Sequence, residues 1–382
     1  MLAREGDFIQ HKSNVIFDVK GLIHPKDRIV AFPRYIPNPK GSRHDNNGVS
    51  YGKVYSLEER FKFLQKHLPN LLTFDKVFNE TLCEVPTNEI INHFQPQKKL
   101  SQLLHTNNNN TDTDDNKGST YSSSGGSGGV GGFLEEKALR FALDLHDVAG
   151  VSFDALGVSG SILAGLTTAT SDIDLLVYGV DNCHKVYATL HHMFKKGHPR
   201  VKAYTSQELE ALYDFRSQDT HMSFKDFQRV ETRKAFQGMY QNTDFFIRFV
   251  KDWPDLTEQY GDIYYHNIGY TKITATINNN SETLFTPCTY QLKNVTNTEN
   301  PNLPPPYPIR EISSFRGRFC EQAQQGEIIT AQGKVELVIN KKNNEKYYRL
   351  ILGSKPQDYM ILKPSNAEFS KLDHNNENNM LG

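Results

Sequence analysis

Val158-Ser159-Gly160-Ser161-Ile162-Leu163-Ala164-Gly165-Leu166, followed by Ser171-Asp172-Ile173-Asp174-Leu175-Leu176-Val177, is the stretch that decides how this chain is read. In a strand successive side chains alternate between faces, so Asp172 and Asp174 point the same way while Ile173 points into a core. Same-face neighbours stand about 6.5 to 7 Å apart along a strand, and paired divalent ions in phosphoryl-transfer sites stand about 3.5 to 4 Å apart. Inward-leaning carboxylates can bridge that difference. The pattern predicts a divalent-metal site at the start of a strand.

Gly160-Ser161 falls where Phe153 to Val158, read as a strand, gives way to a compact helix over Gly160 to Leu166. Backbone N–H groups at such a turn and the positive end of a helix dipole suit phosphate oxygens, and glycine permits close approach. Ser161 adds a hydroxyl donor. Gly160, Ser161 and Ser171 are the candidate nucleotide-binding residues, with Asp172 and Asp174 the candidate metal-binding and catalytic pair.

With Gly160-Ser161 and Asp172-Ile173-Asp174 in this order, the segment resembles the DNA polymerase beta-like nucleotidyltransferase superfamily, whose hallmark is an apolar residue, Gly-Ser, a spacer, then Asp-apolar-Asp on a strand. More broadly, the chain is similar to uncharacterised predicted nucleotidyltransferases known mainly from archaea. That similarity runs from Arg4-Glu5-Gly6-Asp7 through Ser314-Phe315-Arg316-Gly317-Arg318-Phe319-Cys320-Glu321 to Asp358-Tyr359-Met360. The resemblance implies a polymerase beta-like core that transfers a nucleoside monophosphate from a nucleoside triphosphate such as ATP, with Mg²⁺ or Mn²⁺ as cofactor and pyrophosphate released. An RNA or DNA end is one implied acceptor. It also implies a third metal-binding and catalytic carboxylate on a later strand. Asp244, opening the run Phe245 to Val250, is the candidate, with Arg248 on the same face two steps further on. The competing reading is a nucleic-acid-binding protein that keeps this fold without the activity, because a fold does not dictate a function.

Outward from this segment, an α+β chain of several domains is expected. Residues 1–105 read as a small α/β domain: Asn14 to Val19 and Arg28 to Phe32 as strands, then a capping box, Ser56-Leu57-Glu58-Glu59, opening a helix with Leu57, Phe61, Leu64 and Leu68 on one stripe. Residues 106–132 are Asn-, Ser- and Gly-rich and read as a linker or insertion that cannot bury enough apolar area to order itself. The nucleotidyltransferase core would span 133–277. It includes a helix striped by Leu134, Ala138, Phe141, Leu145 and Val148, and another by Val186, Leu190, Met193 and Phe194. Two polar helices are expected between Glu208 and Gly238. Residues 278–363 are strand-rich and read as an antiparallel barrel or sandwich, with Pro304-Pro305-Pro306 in a stiff loop; 364–382 read as a polar tail.

The bulk numbers narrow the partners. With 43 basic and 44 acidic residues the formal net charge is -1, so any attraction to nucleic acid must be local rather than global. No run approaches the ~20 apolar residues of a membrane span, and the N-terminus lacks an apolar signal core, so a soluble cytoplasmic protein is expected, the nucleus being compatible. Cys83, Cys183, Cys288 and Cys320 lie far apart and read as free thiols in a reducing compartment.

Three weaker patterns have ordinary readings beside functional ones. His146-Asp147 and His191-His192 are adjacent helix residues that do not share a face, which argues against metal pairs. Arg229 and Arg233, four apart, share a helix face that is either simply solvated or contacts phosphate. Phe315-Arg316-Gly317-Arg318-Phe319 interleaves aromatic and basic residues. On a strand this either stacks bases or merely alternates inside and outside.

Overall fold

A computed structural model of the chain describes residues 1–111, 130–217, 222–297 and 308–363. Among the described residues the protein is α+β, with seven α-helices and three sheets. Two compact units emerge: residues 1–205 with 235–262, and residues 206–234 with the chain from 263 onward.

In the first unit, β1 (Phe8–His11), β2 (Ile16–Val19), β3 (Arg28–Pro37), β4 (Arg43–His44), β5 (Ser50–Lys53), β6 (Leu72–Asp75), β7 (Glu80–Pro86) and β8 (Ile90–Phe94) pair antiparallel in the order β4-β5-β3-β2-β1-β8, with β7 beside β3 and β6 beside β7. The helix α1 (Leu57–His67) starts as its sequence predicts: Ser56 accepts from the Glu59 N–H while Glu59 reaches back to the Ser56 N–H. Leu64, with Leu57, Phe61 and Leu68 around it, completes a core built on Ile9, Phe17, Ile29 and Val85. The N-terminal part is therefore richer in strands than its sequence suggests. Most of the unforeseen strands are short and carry no clean alternation, and Pro33 and Pro37 argue against a strand as long as β3. Pro33 is tolerated at a bulge: Phe17 pairs with Pro33 and Ile16 with Tyr35, which leaves Arg34 as an extra residue in β3.

The chain continues through α2 (Pro96–Thr111), α3 (Val130–Ala149), β9 (Leu156–Val158), α4 (Gly160–Leu163), β10 (Ile173–Tyr178), α5 (Val180–Lys196) and β11 (Val201–Lys202). After α6 (Ser206–Ser217) and α7 (Phe224–Glu231), which belong to the second unit, it returns as β12 (Gln237–Tyr240) and β13 (Thr243–Val250). The expected linker is helical at its described edges, since α2 runs to Thr111 and α3 begins at Val130. A nucleated helix gains a hydrogen bond with each residue it adds, which carries it into poor helix formers. The rest of that stretch, 112–129, lies outside the described residues, as do Pro304-Pro305-Pro306 and residues 364–382.

The second sheet runs β11-β12-β13-β10-β9, with β10 and β13 parallel. Ile173, Leu175 and Val177 share one buried face with Phe245, Ile247 and Phe249. Phe141 of α3 meets Phe245 edge-on at 4.9 Å and stacks on Tyr240 at 4.3 Å, while Tyr187 of α5 meets Phe249 at 5.8 Å. Val148, read as part of the α3 stripe, faces solvent in its last turn. The opposite face carries Asp174, Leu176, Tyr178 and Arg248, and the chain's N-terminus covers part of it. Gly6 lies so tightly on Leu176 that a Cβ there would overlap it, Arg4 sits 3.6 Å from the centre of the Tyr178 ring, and Arg248 pairs with the buried Glu5.

In the second unit, β14 (Ile263–Asn279), β15 (Cys288–Asn297), β16 (Ile309–Ser314), β17 (Ile328–Asn340) and β18 (Glu345–Leu352) run β14-β15-β16-β18-β17, and β17 pairs back to β14 to close the ring. β16 and β18 are parallel, and β19 (Tyr359–Leu362) adds to β17. The return of β17 beside β14 is a Greek-key connection. The barrel strand β14 begins well before Ile277, where the sequence reading ends the core. The two polar helices α6 and α7 also group with this unit.

Candidate active site

Local sequence forces Gly160 and Asp174 together. β9 and β10 pair antiparallel with Val158 opposite Leu175, and the Ser159 N–H donates to the Asp174 carbonyl at 2.8 Å. The chain must then turn sharply out of β9, which Gly160 does at φ +61. A Cβ at Gly160 would overlap the Asp174 carboxylate, so both the backbone angle and the space require glycine. The turn is tied down by the Ser159 hydroxyl, which donates to the Gly6 carbonyl at 2.8 Å. α4 is a single turn rather than the longer helix expected. Its dipole is correspondingly small.

Asp172 and Asp174 are both half-buried, and among the described residues neither carboxylate accepts a hydrogen bond or forms an ion pair. Burial pushes the Asp174 carboxyl up to about 7, and the neighbouring Asp172 carboxylate adds to the shift; Lys53, Arg248 and Arg34 oppose it. A pair of unpartnered carboxylates held side by side is costly unless a cation joins them. The Ser161 hydroxyl is buried and has no hydrogen-bond partner among the described residues.

Ser171 has a structural task. Its hydroxyl accepts from the Thr168 N–H at 2.9 Å and from Arg43 at 3.5 Å, and Arg43 also donates to the Leu166 carbonyl, so the loop between α4 and β10 is stapled from β4. Asp244 opens β13. The register that pairs Ile173 with Phe245 sets Asp172, just before β10, and Asp244 one step earlier. The Asp244 carboxylate accepts from the Tyr204 hydroxyl at 2.9 Å. No group of three His, Cys, Asp or Glu side chains forms a metal cage among the described residues, so Asp244 is beside the pair in register without converging on it.

The weaker candidates are occupied elsewhere. Arg233 pairs with Glu327 at 2.6 Å and Arg229 donates to the Leu362 carbonyl. Phe315 to Phe319 is not a strand: β16 ends at Ser314, Gly317–Phe319 is a 3-10 turn, Phe319 is buried, and Arg316 donates to the Gly353 carbonyl. His146 meets the Val151 carbonyl through Nδ1 at 2.6 Å. What linear reading misses is the contribution of β3 and β5. Arg34 and Lys53 act on Asp174 from more than a hundred residues upstream, and no spacing rule connects them to it.

No protein-family model matches the chain, and no solved structure matches it. The uncharacterized protein MJ1086 of Methanocaldococcus jannaschii is 32% identical to it over 361 residues, covering 93% of this chain and 96% of that protein. The chain belongs to the MJ1086 family. Kinship therefore extends across both units, and since the archaeal MJ1086 is itself uncharacterized, it brings no activity with it. All four cysteines are buried and free, and among the described residues no helix is long and apolar enough to cross a membrane.

Proposed function

We propose that this MJ1086-family protein is a metal-dependent nucleotidyltransferase with a polymerase beta-like core, which transfers a nucleoside monophosphate from a nucleoside triphosphate to an acceptor hydroxyl. The observation that carries the reading is the unpartnered pair Asp172 and Asp174, of which Asp174 lies against the Gly160 turn. Mg²⁺ commonly binds through one or two carboxylates plus substrate phosphates, so the pair suffices for it without a closed protein cage. When bound, Mg²⁺ or Mn²⁺ supplies Lewis-acid stabilisation of charge on the phosphoryl oxygens. The Gly160 and Ser161 N–H groups and the Ser161 hydroxyl then orient the triphosphate. Attack by the acceptor oxygen forms a new O–P bond at the α-phosphorus while the bond to the bridging α–β oxygen breaks, and pyrophosphate leaves with that electron pair. In this reading Asp244, once released from Tyr204 and moved toward the pair, takes the acceptor proton.

An RNA or DNA end is the acceptor class we favour, because five-stranded Greek-key barrels of the kind formed by β14 to β18 commonly bind oligonucleotides. The same barrel, with Asp244 held by Tyr204, supports a second reading as a nucleic-acid-binding protein without activity. Incubation with Mg²⁺ or Mn²⁺, each labelled nucleoside triphosphate and pooled small RNA separates the two. Metal-dependent transfer lost in Asp172→Ala and Asp174→Ala supports the enzyme; RNA binding equal in all forms, with no transfer, supports the binding protein.

A further inference from the structure

Lys53 ends β5 and Arg34 lies in β3, and the register sets Lys53 opposite Tyr35, the residue after Arg34. Arg34 is the extra residue of the β3 bulge, and bulges re-aim the side chain they carry. Both cations rest on one ring: the Arg34 guanidinium is 5.3 Å and the Lys53 ammonium 4.9 Å from the centre of Tyr55, and Arg34 also donates to the Val54 carbonyl at 3.4 Å. Tyr35 anchors this strand pair to the acidic site. It is buried in one core with Leu163, Ala164 and Leu166 of the α4 loop, and the charges of Arg34, Arg43, Asp174 and Asp172 all act on its hydroxyl.

The pairing of these charges is uneven. Arg248 also acts on Asp174, but it is neutralised by Glu5, which takes Lys20 as well. Among the described residues Lys53 and Arg34 form no ion pair within 4.0 Å, and neither do Asp172 and Asp174. Two carboxylates and two cations thus stand without an ion pair, and Lys53, directly opposite Tyr35, shares the strand face from which Tyr35 packs on the α4 loop. An aromatic face holds the cations in position while leaving their charge available. A ligand that satisfies both sets must present a cation to the carboxylates and anionic oxygens to Lys53 and Arg34, which describes a metal-bound polyphosphate.

We infer that Lys53 and Arg34 are the phosphate-binding side of the site, so that a metal-bound polyphosphate is gripped from the N-terminal sheet as well as from β10. The inference rests on the metal site proposed at Asp172 and Asp174, and deepens it by assigning the groups that recognise the phosphates. Neither cation follows the Gly-Ser or Asp-Ile-Asp pattern in sequence.

The test titrates inorganic tripolyphosphate into the full chain with Mn²⁺ present, and Mn²⁺ alone in parallel by electron paramagnetic resonance, with thermal melting of every variant as a check on folding. Lys53→Ala and Arg34→Ala should each weaken tripolyphosphate about tenfold, as expected for one charge-assisted contact, while uptake of Mn²⁺ alone is unchanged. Lys53→Arg, which keeps the charge, should retain most of the affinity even if the alanine variant folds poorly. Lys62→Ala, which removes an exposed ion pair with Glu58 on α1, should bind as wild type does. If Asp172→Asn loses tripolyphosphate while Lys53→Ala and Arg34→Ala bind as wild type does, the present inference is wrong and the acidic site stands. If wild type takes up neither Mn²⁺ nor tripolyphosphate, both are wrong.

Discussion

The Asp174 carboxylate lies directly against the Cα of Gly160, in the space a side chain at that position would need. Gly160→Ala therefore meets two obstacles at once, the overlap and a φ of +61, and should cost about 2 kcal/mol or more of stability. Denaturant unfolding measures this directly. Because the displaced group is Asp174, metal-dependent nucleotide binding should fall with it. An alanine variant as stable and as active as wild type would show that the contact does not shape the site.

Removing one charge of the acidic pair should have opposite effects with and without metal. In metal-free buffer above neutral pH, Asp174→Asn relieves the repulsion from Asp172 and should raise the melting temperature. Added Mg²⁺ or Mn²⁺ should stabilise wild type by mass action and leave Asp174→Asn unmoved. Thermal shift with each metal, set beside Ca²⁺ and buffer, reads both effects.

Ser171 separates loop architecture from ligand contact. Its hydroxyl is engaged by Thr168 and Arg43, so Ser171→Ala should cost about 1 kcal/mol of stability and change triphosphate affinity only slightly. A large loss of affinity with stability intact would return Ser171 to the binding residues.

Glu84, on β7, should make the protein's stability depend on pH. Burial pushes its carboxyl up to about 7, helped by the charge and hydrogen bond of Asp75, while Arg28 opposes the shift. The unfolded chain releases this proton near the ordinary 4.5, whereas the folded chain holds it to about 7. Between those values the folded state binds more protons, so this group's contribution falls as pH rises. Glu84→Gln should flatten that decline and be the more stable form at pH 8. Denaturant midpoints from pH 4.5 to 8 measure it, and identical profiles for the two proteins would contradict it.

The parts legible in the sequence are those whose signals are local. The Ser56 capping box, the α3 and α5 stripes, the Gly160 turn and the Asp172-Ile173-Asp174 alternation each fit within a few turns or steps of chain, and the strands of the last third announce themselves by β-branched and aromatic runs between polar turns. What escaped depends on distant pairing. The bulge at Arg34 exists only in the register between β2 and β3, and what ties Lys53 to the α4 loop is its pairing with Tyr35, which shares a core with Leu163 and Ala164. Phe315 to Phe319 misled for a related reason: alternation alone cannot foresee that Arg316 turns back to the Gly353 carbonyl and ends the strand. At Asp244 the sequence indicates the start of a strand, but the Tyr204 hydroxyl that engages it is contributed by a separate loop.

Calorimetric titration of a nucleoside triphosphate with Mg²⁺ into the full chain, repeated on Asp172→Asn and Asp174→Asn, tests the central claim most directly. The account predicts saturable, metal-dependent binding by wild type that both substitutions abolish. Heat indistinguishable from dilution in wild type, or binding that survives loss of either carboxylate, would contradict it.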